Sequence, residues 1–320
     1  MNTVIVTGAA GFLGSHLCEH YLNKSYHVIG LDNFATGSKD NIQYLKAKSP
    51  HFLFFESDVT QSWQQLENLA ILKQAKLTHI FHFASPASPP HYQKLAKETL
   101  WVNSIGLNNA IEFADQHQAR VIFASTSEVY GDPNCTPQPE SYWGNVNSYG
   151  ERSCYDEAKR FGEALIFSHN KKFNTQHGLV RIFNTYGPRM NPNDGRVVIN
   201  FILQALTHAP ITVYGDGLQT RSFCYVDDLI NAITRYAHKN LTFPINIGNQ
   251  NEFTMLELVE IVKKLTQTKS EVVFKPLPSD DPKQRRPDTT LAFKNLDAWK
   301  AEIPLEKGVQ HMIDWLKTKI

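Results

Sequence analysis

Short apolar runs alternate with longer amphipathic stretches through the first half of the chain. The runs are TVIVT, HVIGL, FLFFES, HIFHFA and RVIFAS, and the stretches that separate them have polar and apolar residues spaced as in helices. Each run is apolar almost throughout, which is typical of strands in a parallel sheet, because crossover helices cover both faces of such a sheet. The pattern therefore predicts an α/β fold built on a doubly wound parallel sheet.

The sequence of the second half predicts further sheet elements, and its amino-acid composition then changes. Helices are predicted near residues 99–116 and 155–170, followed by the strand LVRIFN. After Gly187 the sequence becomes rich in Pro, Gly, Asn and Arg, and PINIG, near Pro244, predicts a return to the sheet. Thr254 is placed to cap the helix TMLELVEIVKKL, and the polar loop SDDPKQRRPD precedes the last helices.

This change of composition divides the chain into two predicted parts. Residues 1–183, with the return near 220–249, form the sheet domain, and residues 184–219 with 250–320 form a smaller C-terminal lobe that covers a ligand. No internal repeat, low-complexity tract or flexible linker separates the two parts. We therefore expect them to fold as one unit.

Charge and composition narrow the classes of partner. The 320 residues include 32 Lys plus Arg and 31 Asp plus Glu, and the formal charge of +1 lacks the basic excess of a dedicated nucleic-acid binder. The longest apolar stretches fall short of the roughly 20 residues that a membrane span needs, and no basic leader precedes the first apolar run. A small soluble ligand, with no nucleic acid and no membrane, is therefore the expected partner.

The cysteines bear on the cellular compartment, and the histidines bear on metal binding. Four cysteines have neither a CxxC pair nor framework spacing, namely Cys18, Cys135, Cys154 and Cys224. They predict free thiols in a reducing compartment, which makes the cytoplasm the expected location. His79, His82 and His91 lie close in sequence, but no HxxxH pair or cysteine partner completes a set of ligands. We therefore expect no metal.

A glycine-rich turn lies between the first predicted strand and the first predicted helix. In VIVTGAAGFLGSHL, Gly8, Gly11 and Gly14 let the backbone turn sharply, approach a pyrophosphate and pack helix against strand. The free N–H groups and the dipole of the helix N-terminus then face the anion. Since a strand precedes the glycines and a helix follows them, we interpret the segment as the dinucleotide-binding turn of a Rossmann sheet rather than as a plain tight turn.

Asp32, at the end of the second predicted strand, selects between dinucleotides. An acid at this distance from the glycines accepts hydrogen bonds from the adenosine ribose hydroxyls. Its carboxylate repels a 2′-phosphate, and no Arg follows it directly, so NAD is favoured over NADP. Asp58, after FLFFES, either accepts from the adenine amino group or is an exposed acid at the end of a strand.

The segment YDEAK contains a candidate general base. Tyr155 and Lys159 are four residues apart at the start of a predicted helix, so they share one face. A phenol with a pKa near 10 must lose about three pKa units to act as a base near neutrality. An ammonium within about 4 to 6 Å supplies about one to three of these, and the positive charge of an oxidised nicotinamide adds to them. We therefore predict that Tyr155 is the base and that Lys159 activates it.

Taken in order, the glycine turn, Asp32, STSEVYG and YDEAK make the chain similar to the extended short-chain dehydrogenase/reductase family, over essentially its whole length. Members of this family modify nucleotide-activated sugars on a tightly held NAD. HFASPASPPHY, NSYGERSCYDEAKR, RIFNTYGPRM, TVYGDGLQTRSFCYVDDL and DDPKQRRPD resemble segments of its UDP-glucuronate decarboxylases, also called UDP-xylose synthases. The resemblance implies a UDP-sugar substrate and a homodimer joined by the helices near residues 99–116 and 155–170.

The resemblance extends the set of expected contacts. Cofactor contacts are implied for Phe12, Leu13, Asn33, Phe34, Val59, Phe83, Ala84, Ser85, Asn103, Ser125, Thr185 and Arg196. Substrate contacts are implied for Ser88, Asn184, Tyr214, Arg221 and Arg285, with Arg286 as the alternative to Arg285. Guanidinium groups suit this task because they pair bidentately with phosphate and carboxylate groups. The structural alternatives are that the arginines are exposed surface residues, that Asn184 only ends a strand and that Tyr214 is an aromatic core residue.

The trio Thr126-Ser127-Glu128 distinguishes between reactions within the family. Related 4,6-dehydratases have Thr-Asp-Glu, in which the Asp protonates the departing 6-hydroxyl, whereas the hydroxyl of Ser127 is too weak an acid to expel hydroxide. Simple 4-epimerases usually lack the Glu, so Glu128 indicates chemistry at C5. The trio therefore favours decarboxylation, with a structural ion pair as the alternative role of Glu128.

The reaction implied by the resemblance oxidises C4, releases carbon dioxide and reduces C4 again. Tyr155 removes the proton of the sugar 4-hydroxyl while C4 passes a hydride to NAD. The resulting ketone is β to the C6 carboxylate, so carbon dioxide leaves with its electrons delocalised onto the C4 oxygen, which Tyr155 and Thr126 stabilise. Protonation of C5, assisted by Glu128 through water and by an Arg of the RRPD segment, precedes return of the hydride.

One position departs from the decarboxylase pattern. UDP-xylose synthases have a Lys in a TLK segment, whereas TLWVN places Trp101 there. Trp101 either packs in a helix core or reshapes the sugar pocket, so decarboxylation of another uronate, 4,6-dehydration and 4-epimerisation stay open. A non-catalytic NAD-binding protein is the alternative of a different class, but such a protein does not need Thr126, Tyr155 and Lys159 together.

Overall fold

The structure, a computed structural model, describes residues 1–277 and 284–320. Its strands in chain order are β1 Asn2–Thr7, β2 His27–Asp32, β3 Phe52–Glu56, β4 Lys76–His82, β5 Arg120–Thr126, β6 Gly178–Ile182, β7 Thr185–Tyr186, β8 Ile211–Tyr214, β9 Thr220–Ser222, β10 Cys224–Tyr225, β11 Ile245–Ile247, β12 Glu252–Thr254 and β13 Val272–Lys275. Its α-helices are α1 Phe12–Asn23, α2 Lys39–Lys48, α3 Gln64–Glu67, α4 Ala70–Gln74, α5 Pro89–Lys94, α6 Ala96–Trp101, α7 Leu107–Gln116, α8 Ser153–Phe173, α9 Val197–Leu206, α10 Val226–His238, α11 Met255–Thr266, α12 Thr290–Asn295 and α13 Leu305–Leu316. A π-helical turn spans Val102–Gly106, and a 3₁₀ turn spans Ser127–Tyr130.

A parallel sheet of seven strands forms the centre of the described chain, in the order β11-β6-β5-β4-β1-β2-β3. Neighbouring strands are parallel throughout, and Ile5 of β1 lies between Ile29 of β2 and Ile80 of β4. These three isoleucines are fully buried. The doubly wound parallel sheet predicted from the apolar runs is therefore confirmed. The strand order reverses between β1 and β4, which opens a crevice at the carboxyl ends of the strands.

The rest of the described chain packs onto this sheet through a shared core. The short strands pair as β7 with β10, β8 with β13 and β9 with β12. One apolar cluster runs from Val4 in β1 through Ile202 in α9 and Leu258 in α11 to Met312 in α13. Thr254 caps α11 in a capping box, as its position in the sequence predicts. The expectation that both parts fold as one unit agrees with this continuous core.

The helix predicted near residues 99–116 is interrupted in the structure. α6 ends at Trp101, and the π-helical turn separates it from α7. The buried imidazole of His82 places Nε2 2.9 Å from the carbonyl oxygen of Val102, where only an N–H can make a hydrogen bond. Because a π turn adds a single residue to a helix, apolar spacing alone does not reveal it.

α8 is the 21-residue helix that carries the YDEAK motif. It begins at Ser153, slightly before the predicted start. Its buried side chains include Tyr155, Asp156, Ala158, Lys159, Gly162 and Ile166. Phe161 and Phe167 lie on its surface with exposed fractions of 51% and 68%. Neither α8 nor any other helix within residues 1–277 and 284–320 is long and apolar enough to cross a membrane.

The predicted polar loop SDDPKQRRPD falls partly outside the described residues, because residues 278–283 are not among them. Its described part begins at Gln284 and includes both candidate arginines. Pro287 in this part forms a parallel β-bridge with Gln138. The loop therefore returns to the sheet domain immediately after Arg285.

Candidate active site

A large cavity lies at the carboxyl ends of the sheet strands. Its volume is about 720 Å³, which is in the range of sites for small molecules. The lining includes Gly8, after β1, and Tyr214, at the end of β8, so both predicted parts of the chain contribute to it. The carboxyl ends of parallel strands, beside the point where the strand order reverses, are where folds of this kind bind ligands.

Most residues that the sequence analysis selected line this cavity. From the cofactor set, the lining includes Gly8, Gly11, Phe12, Leu13, Gly14, Asp32, Asn33, Asp58, Val59, Phe83, Ala84, Ser85, Ser125, Thr185 and Arg196. From the catalytic and substrate sets, it includes Thr126, Ser127, Glu128, Tyr155, Lys159, Asn184, Tyr214, Arg221 and Arg285. Three selected residues in the described part of the chain are not in the lining, namely Phe34, Ser88 and Asn103.

These three residues lie behind the lining. The backbone N–H of Phe34 donates to Asp32 at 2.7 Å, and the Asn103 amide donates to Ser85 at 3.0 Å. Ser88 immediately precedes α5 and is 1% exposed. The Ser88 hydroxyl lies 2.9 Å from Nδ1 of His91, which lines the cavity, so all three residues contact a residue that faces the cavity.

The glycine turn leaves no room for side chains. Gly8 has a φ of +73°, and a Cβ there would lie 2.8 Å from the carbonyl oxygen of Phe83. A Cβ on Gly14 would lie 1.9 Å from the carbonyl oxygen of Gly8. Gly11 is the N-cap of α1 and provides no side-chain cap, so the helix N-terminus faces the cavity with backbone N–H groups. This arrangement fits a pyrophosphate.

The two predicted acidic residues lie at the strand ends beside this turn. Asp32 is 8% exposed and accepts hydrogen bonds from the N–H groups of Phe34 and Ala10. Burial raises the pKa of Asp32, and these N–H groups oppose the rise. Asp58 accepts from the backbone and hydroxyl of Thr60 at 2.9 and 2.8 Å. A glycine turn at a helix N-terminus with a carboxylate on the neighbouring strand fits the two halves of an adenine dinucleotide.

Tyr155 is buried against a second aromatic ring. Its ring stacks on that of Tyr92, with centroids 5.0 Å apart and planes 8° from parallel. Burial raises the pKa of Tyr155 to about 12, while its hydrogen bond with Thr126 lowers it. Burial therefore has the largest effect on the pKa of Tyr155, and the spacing of YDEAK does not reveal this burial.

Lys159 lies under Tyr155 as the four-residue spacing predicts. Its Nζ is 5.6 Å from the Tyr155 ring centroid and donates to the carbonyl oxygen of Ala124 at 2.7 Å. Burial lowers the pKa of Lys159 to about 7. The lysine is thus itself only partly charged near neutrality, so the activation expected from its ammonium is weaker in this environment than the sequence argument assumes.

Glu128 is held between arginines. Its Oε1 lies 2.7 Å from Arg285, and its Oε2 accepts from Arg285 at 2.8 Å and from Arg152 at 2.6 Å. Burial acts to raise the pKa of this carboxyl, but Arg285, Arg152 and Arg221 together lower it. Glu128 is therefore a stable carboxylate rather than a proton donor at neutral pH.

Arg152 and Glu163 are site residues that the sequence analysis missed. Arg152 lies one turn before Tyr155, so its spacing was an available signal. Glu163 accepts from the hydroxyl of Ser125 at 2.5 Å and forms an ion pair with Arg181 at 2.6 Å. Glu163 is four residues after Lys159 on the same helix, but its partners are distant in sequence, and no local pattern predicts them.

Asp156 is a further buried acid that the sequence analysis did not select. Its Oδ1 has no hydrogen-bond partner within the described residues. Burial and the charge of Glu128 raise the pKa of Asp156 to about 7, against the effect of Arg152. The negative charge beside Glu128 is therefore reduced, because this second carboxyl is partly protonated in the neutral range.

The loop before α9 brings another arginine towards Tyr155. Arg196 forms an ion pair with Asp194. The charge of Arg196 acts to lower the pKa of Tyr155. Thr185, also in the lining, donates its hydroxyl to the carbonyl of Phe183 at 2.9 Å.

Two candidate substrate residues, Tyr214 and Arg221, lie on the short strands β8 and β9. Arg221 is 9% exposed and donates to the carbonyl of Thr220. Tyr214 is 45% exposed, so it is not an aromatic core residue. Arg286 lies 3.5 Å from Glu252 and, unlike Arg285, is not among the described residues that line the cavity.

Trp101 also lines the cavity. Its exposed fraction is 50%, so it does not pack in a helix core. The residue that departs from the decarboxylase pattern therefore contributes an indole surface near the site.

The histidines considered as metal ligands have other partners. His79 and His82 place ring nitrogens 2.9 Å from backbone carbonyls, and His91 lies 2.9 Å from Ser88. Elsewhere, His177 lies near a carboxylate and a second histidine, in a group formed by Asp115, His169 and His177. The Nδ1 of His177 accepts from the backbone N–H of Val121, so its Nε2 carries the proton that points towards the carboxylate. A protonated Nε2 has no lone pair for a metal.

Comparisons with known proteins show the family of this chain. Residues 4–248 match the NAD dependent epimerase/dehydratase family. UDP-glucuronic acid decarboxylase 5 of Arabidopsis thaliana is 46% identical over 97% of this chain and 87% of its own length, and UDP-glucuronic acid decarboxylase 1 of Danio rerio is 42% identical over 99% and 73%. The structure of UDP-glucuronic acid 4-epimerase from Bacillus cereus, with UDP-glucuronic acid and NAD, superposes with a TM-score of 0.87 at 28% identity, covering 99% of this chain and all of the other.

The match to the family model covers the glycine turn, the Tyr155 and Lys159 pair and the sheet as far as β11. The cofactor is NAD, as the glycine turn and Asp32 predict. The chain belongs to the NAD dependent epimerase/dehydratase family of extended short-chain dehydrogenases/reductases.

Proposed function

We propose that the chain is an NAD-dependent UDP-glucuronate decarboxylase that forms UDP-xylose. The observation that supports this most strongly is the Glu128 carboxylate, which Arg285 and Arg152 hold in the cavity that contains Tyr155. A dehydratase needs an acid at the position of Ser127, and a simple 4-epimerase has no need of a carboxylate at the position of Glu128. The names of full-length relatives at 42% and 46% identity support the same reaction.

Removal of the 4-hydroxyl proton is assigned to Tyr155. When bound, NAD accepts the hydride from C4 and brings positive charge to the site. The phenol needs such charge because its pKa is raised to about 12, with burial as the largest cause. Thr126 contributes through its hydrogen bond, and Arg196 through its charge. Lys159, anchored on the Ala124 carbonyl, is placed to hold the nicotinamide ribose.

Carbon dioxide leaves from the 4-keto sugar because the ketone is β to the C6 carboxylate. The bond between C5 and C6 breaks, and its electron pair moves onto the C4 oxygen. In our proposal Tyr155, now a phenol, and Thr126 donate hydrogen bonds to this oxygen. No acid is needed to expel a leaving group, which is consistent with a serine at position Ser127.

The new C–H bond at C5 requires a proton. Because the arginines lower the pKa of Glu128, we assign it the task of orienting a water molecule rather than of donating its own proton. Arg285, bonded to both oxygens of this carboxylate, is placed to stabilise negative charge as the water gives its proton to C5, and the hydroxide that remains takes a proton from the solvent. Return of the hydride to C4 and of the proton from Tyr155 then completes the sugar.

Substrate binding is assigned mainly to the C-terminal lobe, with Arg221 of the sheet domain. We propose that Arg221 and Arg285 contact the diphosphate and sugar, that Asn184 contacts polar groups, and that Tyr214 packs against uracil. All four line the cavity, and Tyr214 is exposed enough to offer a ring face. In the proposed division, the sheet domain of residues 1–183 with 220–249 contributes Arg221, and the substrate lobe formed by the rest contributes the other three residues. Free cysteines support a reducing location such as the cytoplasm.

We also propose a homodimer joined through α6, the π-helical turn, α7 and α8. Large apolar side chains lie on the surface of these elements. Those more than two-fifths exposed are Leu100, Trp101, Ile105, Phe161, Phe167 and Phe173. Exposed apolar side chains on neighbouring elements favour a protein interface over solvent. A second copy that presents the same face would bury it with twofold symmetry.

Incubation of the purified protein with UDP-glucuronate tests the proposed function. We expect a product that is lighter by the mass of carbon dioxide, without net accumulation of NADH, because the hydride returns to the sugar. Mass spectrometry and NADH absorbance measure the two quantities, with UDP-galacturonate and dTDP-glucose as comparison substrates. Loss of water from dTDP-glucose would instead indicate a dehydratase, and steady NADH release a plain dehydrogenase. Conversion at constant mass would indicate a 4-epimerase.

Replacing Tyr155 by Phe should reduce turnover by at least roughly 100-fold, since general bases contribute about 10²- to 10⁴-fold. NAD and UDP binding should survive, because the ring remains. Tyr149→Phe is the matched control, since that tyrosine is 97% exposed. Lys159→Met should both slow the reaction and weaken NAD binding. Steady-state rates and calorimetry measure these effects, and more than about a tenth of wild-type activity in Tyr155→Phe would exclude the base role.

Asp32→Ala should weaken NAD binding by roughly 1.5 to 3 kcal/mol, the worth of a hydrogen bond to a charged group. Discrimination against NADP should narrow, because the carboxylate no longer repels a 2′-phosphate. Calorimetry on protein stripped of nucleotide measures both affinities, with the exposed Asp314→Ala as control. Equal affinity of the unmodified protein for NAD and NADP would place Asp32 away from the ribose.

Phe161→Glu should convert the dimer into a monomer, because a charge replaces an apolar side chain in the proposed interface. Light scattering during size-exclusion chromatography measures the mass. Phe293→Glu, on α12, is the control, since Phe293 has a similar exposed fraction of 53% against 51% for Phe161. A monomeric wild-type protein, or equal effects of both substitutions, would contradict the proposed interface.

A further inference from the structure

The side chain of Arg285 reaches Glu128 from a segment that belongs to the C-terminal lobe. Both terminal nitrogens of its guanidinium bond the carboxylate, at 2.7 and 2.8 Å. Arg285 itself is only 9% exposed. A bidentate pair of this kind tolerates little displacement, because both bonds depend on the plane of the guanidinium. The backbone that carries Arg285 therefore has to be held at a fixed position relative to the sheet domain.

Gln138 makes the contacts that hold this backbone. Its N–H donates to the carbonyl of Arg286 at 2.8 Å, and its carbonyl accepts from the N–H of Asp288 at 2.9 Å. Its side-chain Oε1 accepts from the N–H of Arg286 at 2.8 Å. The side-chain Nε2 donates to the carbonyl of Cys135 at 2.7 Å. We call this set of contacts between Gln138 and residues 286–288 the Gln138 clamp.

Hydrogen bonds connect the Gln138 clamp to the central sheet. Asn246, in β11, donates to the carbonyls of Gln138 and Asp288 at 2.9 and 3.1 Å. The hydroxyl of Tyr130 donates to the side-chain oxygen of Asn246 at 2.7 Å. Tyr130 ends the 3₁₀ turn that also contains Glu128. The same hydrogen-bonded network therefore holds the carboxylate from one side and the arginine from the other.

Gln138 and Asn246 are buried among these partners, with exposed fractions of 1% and 0%. In such an environment a polar group without a partner is costly, so each bond of the network favours one arrangement of the segment. Neither residue is in the cavity lining, so Gln138 acts on the site through the backbone of its neighbours.

We propose that Gln138 is a positioning residue, whose side-chain amide holds Arg285 in register with Glu128 for protonation at C5. The proposal rests on the proposed decarboxylase function and deepens it. The backbone of Gln138 makes two of the clamp's bonds, and these remain when the side chain is replaced by that of Met or Glu. The side chain alone provides the acceptor for Arg286 N–H, and this bond is the one next to Arg285.

Gln138→Met tests the proposal, because methionine is similar in length and offers no comparable acceptor. We expect turnover of UDP-glucuronate to fall roughly 10- to 100-fold, the effect of a small misplacement in a catalytic group, while NAD affinity stays at the wild-type value. In an Arg285→Met background, Gln138→Met should cause no further loss of turnover. Gln310→Met, on the surface of α13, is the matched control.

Gln138→Glu provides a second variant in case the methionine variant does not fold. Its carboxylate keeps an acceptor for Arg286 N–H but opposes the Cys135 carbonyl. Once protonated, its hydroxyl donates to that carbonyl as the amide does. Its turnover relative to wild type should therefore rise as the pH falls, and a constant ratio would contradict the proposal.

Amide hydrogen exchange at residues 284–289 gives a measurement that does not depend on turnover. We expect faster exchange of the Arg286 amide in Gln138→Met than in wild type, and unchanged exchange would overturn the clamp. Equal loss of turnover from Gln138→Met in the wild-type and Arg285→Met backgrounds would show that Gln138 does not act through Arg285. A wild-type protein that forms no carbon dioxide from UDP-glucuronate would overturn the proposed function instead, and exchange would still decide whether the clamp exists.

Discussion

The carboxylate of Glu128 is almost fully buried, and a buried charge has to be balanced by charge of the opposite sign. Desolvating a single carboxylate costs several kcal/mol after relaxation, and removal of one partner from such a pair is strongly destabilising. The balancing arginines are distant in sequence, since Arg152 precedes α8 and Arg285 precedes α12. The Glu128 side chain therefore holds the start of α8 and the segment around Arg285 at the same end of the sheet.

The same burial controls the acid–base properties of the neighbouring groups. It raises the pKa of Tyr155 and lowers that of Lys159, so it disfavours the charged form of both members of the pair. In a site of low polarity, each charge that a ligand brings has a larger effect than it would have in water. The base strength of Tyr155 in the proposed reaction therefore depends on the cofactor and on Arg196 more than on Lys159. This dependence couples proton removal to the presence of a hydride acceptor.

The parts of this arrangement that the sequence predicts are those set by local geometry. Apolar runs predict the parallel strands, and the spacing of Gly8, Gly11 and Gly14 predicts a turn that no side chain fits. The four-residue spacing of Tyr155 and Lys159 predicts a shared helix face. Arg152 is 24 residues from Glu128, and Gln138 is 148 residues from Arg286, so no periodicity connects them. The apolar spacing does not predict the π-helical turn, because the turn changes this pattern by only one residue.

Specificity within this fold depends on few side chains. The superposition with a UDP-glucuronic acid 4-epimerase, at a TM-score of 0.87, shows that the backbone does not determine the reaction. A 4-keto sugar with a C6 carboxylate loses carbon dioxide unless its geometry prevents overlap of the breaking bond with the ketone. A decarboxylase therefore needs groups that orient the carboxylate and supply a proton to C5, not groups that activate a leaving group. Ser127 is a very weak acid, and the neighbouring Glu128 is paired with two arginines. In the proposed function these two residues meet that requirement, and they distinguish decarboxylation from the other reactions of the family.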